Sequence, residues 1–177
     1  MRQLRNLLLT FFLLVPALAF AHGPRRQKLS LAVDVKAPPA EVWAVIGNFQ
    51  DMSWHPAVFS STGTGDNAID ATRVLTLGKE GGPTISEQLY KYDAAKMSYS
   101  YRITAVDVAV LPVTNYSSHL TVTPTASGGS HIEWRGAFYR GYPNNDPPEN
   151  LNDAAAIAAV TGVYKAGLDA LEAKFGK

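Results

Sequence analysis

Hydrophobic and polar residues alternate over much of the chain. In the segment 29–36 (LSLAVDVK) every second residue is apolar, and this period of two predicts a strand. The next segment, Ala40–Phe49, has apolar residues at the spacing of a short amphipathic helix. Pro39 suits the first turn of that helix, where a missing N–H costs nothing. The N-terminal part therefore predicts one strand followed by one helix.

Six further strands are predicted after this helix. The gaps between them hold turn residues such as Gly81-Gly82-Pro83 and Ser127-Gly128-Gly129. Because the links are mostly tight, consecutive strands should pair as an antiparallel meander. The predicted strands cover residues 57–62, 72–77, 85–92, 97–104, 115–125 and 130–140.

A long C-terminal helix completes the pattern over residues 148–175. Asp146 is the predicted cap, Pro147 the first helical residue and Glu149 the end of a capping box. Small residues crowd the first half, which suggests a cavity between helix and sheet; alternatively, the alanines only supply helix propensity. The predicted apolar stripe consists of Ile157, Val160, Tyr164, Leu168, Leu171 and Phe175.

The order strand, helix, six strands, helix predicts an α+β fold in which a curved antiparallel sheet wraps the long helix. Five stretches resemble the START/Bet v 1-like helix-grip superfamily, also called SRPBCC or polyketide cyclase-like: APPAEVWAVIGNFQDMSWHPAV, TRVLTLGKEGGPTISEQLYKYD, YSYRI, LPVTNYSSHLTVTP and GGSHIEWRGAFY. The resemblance covers about residues 29–175. It implies the fold but not one chemistry, since a single fold hosts many functions.

The first 21 residues read as a cleaved secretory leader. Arg2 and Arg5 precede a short apolar run, and Ala19-Phe20-Ala21 fits the cleavage rule. The alternative, a membrane anchor, is disfavoured because the run is too short to span a bilayer. We therefore expect a single domain over residues 22–177, a periplasmic location and no membrane span after cleavage.

Within that superfamily, an exported single-domain protein of this length resembles the periplasmic MxaD-type proteins of methanol dehydrogenase systems. This similarity implies an accessory role in methanol oxidation, with methanol dehydrogenase and its cytochrome c as partners. A small apolar ligand is a further expected partner.

Composition excludes several classes of function. The 177-residue chain contains no cysteine, so disulfides, thiolate metal sites and covalent haem are excluded. Removing the leader leaves a net charge of −1, which gives no electrostatic signature for nucleic-acid binding. We expect no cofactor.

Two charged residues interrupt apolar strand faces. Arg73 lies on the same face as Leu75 and Leu77, and Glu87 on the same face as Ile85 and Leu89. If these faces line the interior, both charges are buried and need partners, so we predict that they pair across adjacent strands. Two interpretations stay open: a structural ion pair that fixes strand register, or a polar anchor or acid–base residue in a ligand site.

The histidines do not form a recognisable catalytic or metal motif. His119 and His131 lie on the last two strands as possible cross-strand neighbours, but two ligands make a poor zinc site. His55, in the corner DMSWHPAV, is held extended by Pro56 and favours a structural or gating role near a cavity mouth over catalysis.

Aromatic residues on inward-facing strand positions complete the candidate cavity wall. Three hypotheses follow: a contact-acting accessory protein, an enzyme of the cyclase/dehydratase type, and a carrier of lipids or other hydrophobic ligands. The candidate ligand-binding residues are Trp54, His55, Arg73, Glu87, Tyr99, Tyr101, Tyr116, Trp134, Phe138 and Tyr164; no catalytic or metal-binding residue is assigned.

Overall fold

The computed structural model describes residues 23–177, and the predicted leader lies outside them. The observed order of elements matches the predicted one. The elements are β1 (Gln27–Val35), α1 (Pro39–Ile46), β2 (Val58–Thr64), β3 (Thr72–Leu77), β4 (Thr84–Asp93), β5 (Ser98–Val106), β6 (Val113–Pro124), β7 (Ser130–Arg140), a 3-10 helix (Glu149–Leu151) and α2 (Asp153–Phe175).

The strands form one antiparallel sheet in the order β1-β7-β6-β5-β4-β3-β2. Six strands follow one another as a meander, and β1 closes beside β7, which brings the first and last strands together. Helix α2 packs against β1 and β7. The predicted α+β helix-grip fold, a curved sheet around a long C-terminal helix, is therefore confirmed.

Strand alternation divides the sheet into two faces. The inner face, which α2 covers, carries buried side chains such as Leu120, Val122 and Ile132. From α2, the side chains of Tyr164 and Leu168 complete this core. The outer face carries mainly polar and charged residues, so the sheet has the one-sided burial typical of antiparallel sheets.

Helix α1 is shorter than predicted and ends at Ile46 instead of Phe49. The Phe49 side chain is still fully buried, as its helical spacing suggested. Its backbone N–H, however, donates to Asn67 Oδ1 at 2.8 Å instead of continuing the helix. A contact from 18 residues away therefore fixes the end of this helix.

The predicted start of the C-terminal helix is wrong. Asn152 is the N-cap, and its side chain accepts a hydrogen bond of 2.8 Å from the Ala155 N–H. Asp146 instead has a φ of +55°. The reason is the double proline, because a residue that precedes proline is pushed out of the helical region, and both Asp146 and Pro147 precede one.

The predicted apolar stripe of α2 needs one correction. Ile157 is 39% exposed, and Ala156 is buried in its place. Ala154, Ala158 and Gly162 are also exposed, so these small residues do not leave space beside the sheet. Their positions agree with the alternative interpretation, that alanine here supplies helix propensity. Helix α2 is long and apolar enough to cross a membrane by composition, but it serves here as the core helix of the grip.

Candidate functional site

A small cavity has three walls: the inner face of the sheet, the loop that follows α1, and helix α2. Its volume is about 80 Å³. Among the described residues that line it, Glu87 is the charged one. The lining consists of Met52, His55, Ala57, Val58, Leu75, Leu77, Ile85, Glu87, Tyr101, Ile103, Leu111, Trp134 and Val163.

Beside this cavity, Arg73 and Glu87 form the predicted ion pair. They are direct cross-strand partners on β3 and β4, and Arg73 Nε donates to Glu87 Oε2 at 2.6 Å. The guanidinium also donates to the Phe49 carbonyl and lies over the Phe49 ring, 4.3 Å from its centroid. The Arg73 Nη2 atom is buried without a hydrogen bond of good geometry. The prediction that these two charges pair in the interior is confirmed.

The environment of Glu87 pulls its protonation in two directions. Burial raises the pKa of the Glu87 carboxyl, and the guanidinium of Arg73 opposes that rise. Taking both charges out of water costs several kcal/mol per ion, and this cost is recovered only while both partners are present. The pair is therefore firmly coupled, and either charge alone would be a strongly destabilising defect.

His55 is buried and both of its ring nitrogens are occupied. The Ala57 N–H donates to Nδ1 at 3.2 Å, so the ring proton lies on Nε2, which donates to the Val163 carbonyl at 3.0 Å. Burial lowers the pKa of His55, and the nearby Arg73 charge lowers it further. A neutral imidazole with no free nitrogen ties the corner after α1 to α2.

Hydroxyl groups connect the aromatic wall in one directed chain. The Ser118 hydroxyl donates to the Arg135 carbonyl at 2.8 Å, so it must accept from Tyr164 OH at 2.9 Å. Tyr164 OH in turn accepts from Tyr116 OH at 2.7 Å. Trp134 Nε1 also donates to Ser118 Oγ at 2.8 Å, and its ring stacks on Tyr164 with centroids 4.5 Å apart.

Burial raises the pKa of the Tyr164 phenol, and the hydrogen bonds with Ser118 and Tyr116 oppose that rise. The chain leaves the phenol no spare proton for chemistry. Gly136 makes the arrangement possible, because a Cβ there would lie 2.2 Å from Tyr164 OH. The hydroxyls thus act as internal hydrogen-bond partners, each satisfied by a neighbour.

The ten predicted ligand-binding residues separate into two groups and one half-buried residue. His55, Glu87, Tyr101 and Trp134 line the cavity. The others contribute to the packed interior around it, apart from Trp54, which is half-buried against the Trp134 ring at 5.7 Å. Those placed in the interior are Arg73, Tyr99, Tyr116, Phe138 and Tyr164. A ligand-binding role for any of the ten stays a prediction.

Sequence reasoning missed several residues of this region. Ser118 anchors the hydroxyl chain, and its signal was a serine at an inward position between Tyr116 and Leu120. Met52, Leu111 and Val163 line the cavity from loops and from the edge of α2, positions where no period-two or helical pattern identifies an inward side chain.

His119 and His131 are not cross-strand neighbours, contrary to the expectation from sequence. His119 lies opposite Arg135, whereas His131 lies opposite Thr123 and bonds to Asp34 at 2.6 Å. The register between β6 and β7 separates them by several residue pairs. Within residues 23–177, no group of three His, Asp or Glu side chains converges as a metal site would require.

The fold and these residues place the chain in a known family. Residues 26–176 match the model of the polyketide cyclase/dehydrase and lipid transport family, and the chain belongs to that family. Two solved structures are similar at 31% identity and a TM-score of 0.70: the protein XoxI from Bacillus cereus and an uncharacterized protein from Bacillus thuringiensis. Both cover 84% of this chain; the match covers 94% of the former and 98% of the latter.

Two plant proteins are more distant relatives. MLP-like protein 423 of Arabidopsis thaliana is 28% identical over 138 residues, which is 72% of this chain and 85% of that protein. Ribonuclease 1 of Panax ginseng is 25% identical over 103 residues, which is 58% of this chain. The match spans just under two thirds of the ginseng protein, 66% of its length.

Proposed function

We propose that this protein is an exported accessory factor of methanol oxidation, which acts by contact with a dehydrogenase and its cytochrome. The observation that carries the contact model is the size of the cavity. A volume of about 80 Å³ lies below the roughly 300–1,000 Å³ typical of small-molecule sites. An interior filled by its own side chains supports a function of the outer surface.

The state of the polar residues supports the same conclusion. The two nitrogens of His55 are bound to Ala57 and Val163, and Glu87 is bound to Arg73. A general base must reach the proton it abstracts, and a bound imidazole with a lowered pKa has no lone pair to offer. These groups hold the interior together.

The periplasmic location and the partners come from the sequence. The leader of 21 residues supports export, and the resemblance to MxaD-type proteins supports methanol dehydrogenase and cytochrome c as partners. A redox encounter buries little surface and is short-lived, so a third protein that orients one partner can raise its rate.

The test is electron transfer from methanol dehydrogenase to its cytochrome in vitro. Adding the purified protein should raise the rate, and the rise should saturate near stoichiometric amounts. Glu87→Gln serves as the matched variant, with circular dichroism to confirm its fold. Under the contact model it stimulates like the parent protein. An absence of stimulation at any ratio would refute the proposal.

A second candidate function is an enzyme of the cyclase/dehydratase type, and one observation favours it. Glu87 lines the cavity together with Tyr101, and burial raises the pKa of that carboxyl, which is the direction a general acid needs. Conversion of a metabolite by the purified protein, abolished in a Glu87→Gln variant that circular dichroism shows to be folded, would establish this function in place of the first.

The carrier hypothesis has less support from the geometry. An apolar cavity of about 150 Å³ can hold benzene, and the cavity found here, about 80 Å³, is smaller than that. A lipid chain would require the aromatic wall to move apart. Native mass spectrometry of protein isolated from its own cells tests this directly, because a retained lipid would add a defined mass.

A further inference from the structure

The outer face of the sheet carries two neighbouring cross-strand rows with an unusual charge distribution. The first row runs through Ser30, Arg135, His119, Ser100 and Lys91, from β1 to β4. The second runs parallel to it through Lys28, Ala137, Ser117, Arg102 and Gln88. We call these ten residues the cationic rows.

The cationic rows contain four positive residues and no carboxylate. The described chain as a whole is nearly neutral, so this face departs clearly from the average. Arg26 adds a fifth cation, since its Nη2 donates to Ser117 Oγ at 3.3 Å. The nearest acids lie at the margins of the rows: Asp70 Oδ1 accepts from Gln88 Nε2 at 3.1 Å, and Glu133, in the following row, accepts from Ser30 at 2.8 Å and lies 3.4 Å from Arg135.

Small side chains between the cations leave the surface recessed. Two depressions, of about 470 Å³ and about 700 Å³, meet at His119 and Arg135, which line both. Ser117 and Ala137 form part of the floor of the first, and Lys91, Lys96 and Glu133, the single acid of its described lining, border the second. The cations therefore flank a continuous trough.

His119 reports the electrostatic field at the centre of the trough. Its ring bonds to the hydroxyls of Ser100 and Thr121, each at 2.7 Å. Burial lowers the pKa of His119, the charges of Arg135 and Lys91 lower it further, and Glu133 opposes them. The cations thus act on the space above the imidazole, where a bound group would sit.

We propose that the cationic rows are a docking surface for an acidic segment of a partner protein. Lys28 and Lys91 lie four strand spacings apart, a span of roughly 19 Å at about 4.8 Å per strand. A single small anion would meet only one end of this span, whereas a protein segment with several carboxylates matches it. This inference rests on the proposed function for one point only, namely that the protein has a protein partner.

A single-stranded nucleic acid fits the trough less well. Such ligands need aromatic side chains on which successive bases stack. Tyr90 is the aromatic residue that lines the first depression, and the described lining of the second has none. The sheet offers charge without a stacking platform, which favours carboxylates on a polypeptide.

Fluorescently labelled poly-L-glutamate is the probe for the binding test. Its affinity should fall when ionic strength rises from about 0.01 M to about 0.1 M, where the Debye length shortens from about 30 Å to about 10 Å. The double variant Lys91→Gln/Arg135→Gln should bind roughly tenfold more weakly. The matched control, Lys165→Gln/Lys174→Gln on α2, removes the same charge and should bind within about twofold of the parent protein.

A second readout locates the site. The pKa of His119, followed by NMR, should rise when poly-L-glutamate binds, because added carboxylates offset the Arg135 and Lys91 charges. Equal weakening by the α2 control, or a His119 pKa that does not respond, would overturn the proposal. Tighter binding of poly-uridylate RNA than of poly-L-glutamate would assign the trough to nucleic acid and also overturn it.

The electron-transfer assay separates this proposal from the proposed function. If the parent protein stimulates and Lys91→Gln/Arg135→Gln stimulates equally, the docking surface is wrong and the accessory function stands. If the parent protein does not stimulate but poly-L-glutamate binding follows the expected charge dependence, the surface stands and the methanol-oxidation role falls.

Discussion

The substitution Gly167→Ala tests how tightly α2 is locked against the aromatic corner. Alanine is favoured over glycine by about 1 kcal/mol inside a helix. At position 167, however, a Cβ would lie 2.7 Å from His55 Cδ2, 2.8 Å from Trp134 Cζ3 and 3.1 Å from Trp54 Cζ3. Three rings therefore meet at one glycine.

Neither of the two closest rings, those of His55 and Trp134, can move away easily from an added Cβ at position 167. His55 accepts a hydrogen bond at Nδ1 and donates one from Nε2, and Trp134 is stacked on Tyr164 and bound to Ser118. Overpacking of this kind costs about 1–3 kcal/mol, and fixed rings place the cost near the upper end. After the gain in helix propensity, Gly167→Ala should lower the free energy of unfolding by about 2 kcal/mol.

Gly162→Ala on the same helix is the control. Gly162 is exposed and nothing lies within 4 Å of its added Cβ, so the same substitution should raise the free energy of unfolding by about 0.5–1 kcal/mol. Urea unfolding followed by far-ultraviolet circular dichroism measures both variants. Equal stabilisation by the two substitutions would show that the rings at position 167 can move aside, and the packing argument would be wrong.

Two further predictions concern charged and titrating groups. Replacing either Arg73 or Glu87 by an apolar residue should cost about 3–5 kcal/mol of stability, and Arg73→Met/Glu87→Leu together should cost less than either single change; wild-type unfolding of the single variants would contradict this. The lowered pKa of His55 means that the unfolded chain takes up the proton first, so stability should be full above pH 6.5 and decrease below it by at most about 1.4 kcal/mol per pH unit. His55→Asn should flatten this slope in urea unfolding at stepped pH, and an unchanged slope would assign the effect to other groups.

The strands were predictable because burial on one face leaves a period of two in the sequence. The ends of the helices were not predictable from the sequence, except where a proline excludes the helical conformation of the residue before it. The stop of α1 depends on Asn67, which reaches the Phe49 N–H only after the sheet has formed. The late start of α2 was readable, since Asp146 precedes Pro147 in a double proline.

The candidate site was predictable in its charges and not in its volume. A charged residue on an apolar strand face must find a partner, which is how sequence identified Arg73 and Glu87. Whether space remains beside them depends on how Tyr164 packs and on where Met52 and Leu111 enter from the loops. Side chains placed by loops leave no periodic signal in the sequence.

The cationic rows have a consequence for how molecules of this protein meet one another. A broad sheet face free of covering helices is a natural surface for two copies to stack upon. Here such an approach would set Lys28, Lys91, Arg102 and Arg135 of one copy against the same residues of the other. Repulsion between these like charges opposes self-association at low salt. The sheet face therefore stays exposed and accessible to an oppositely charged molecule.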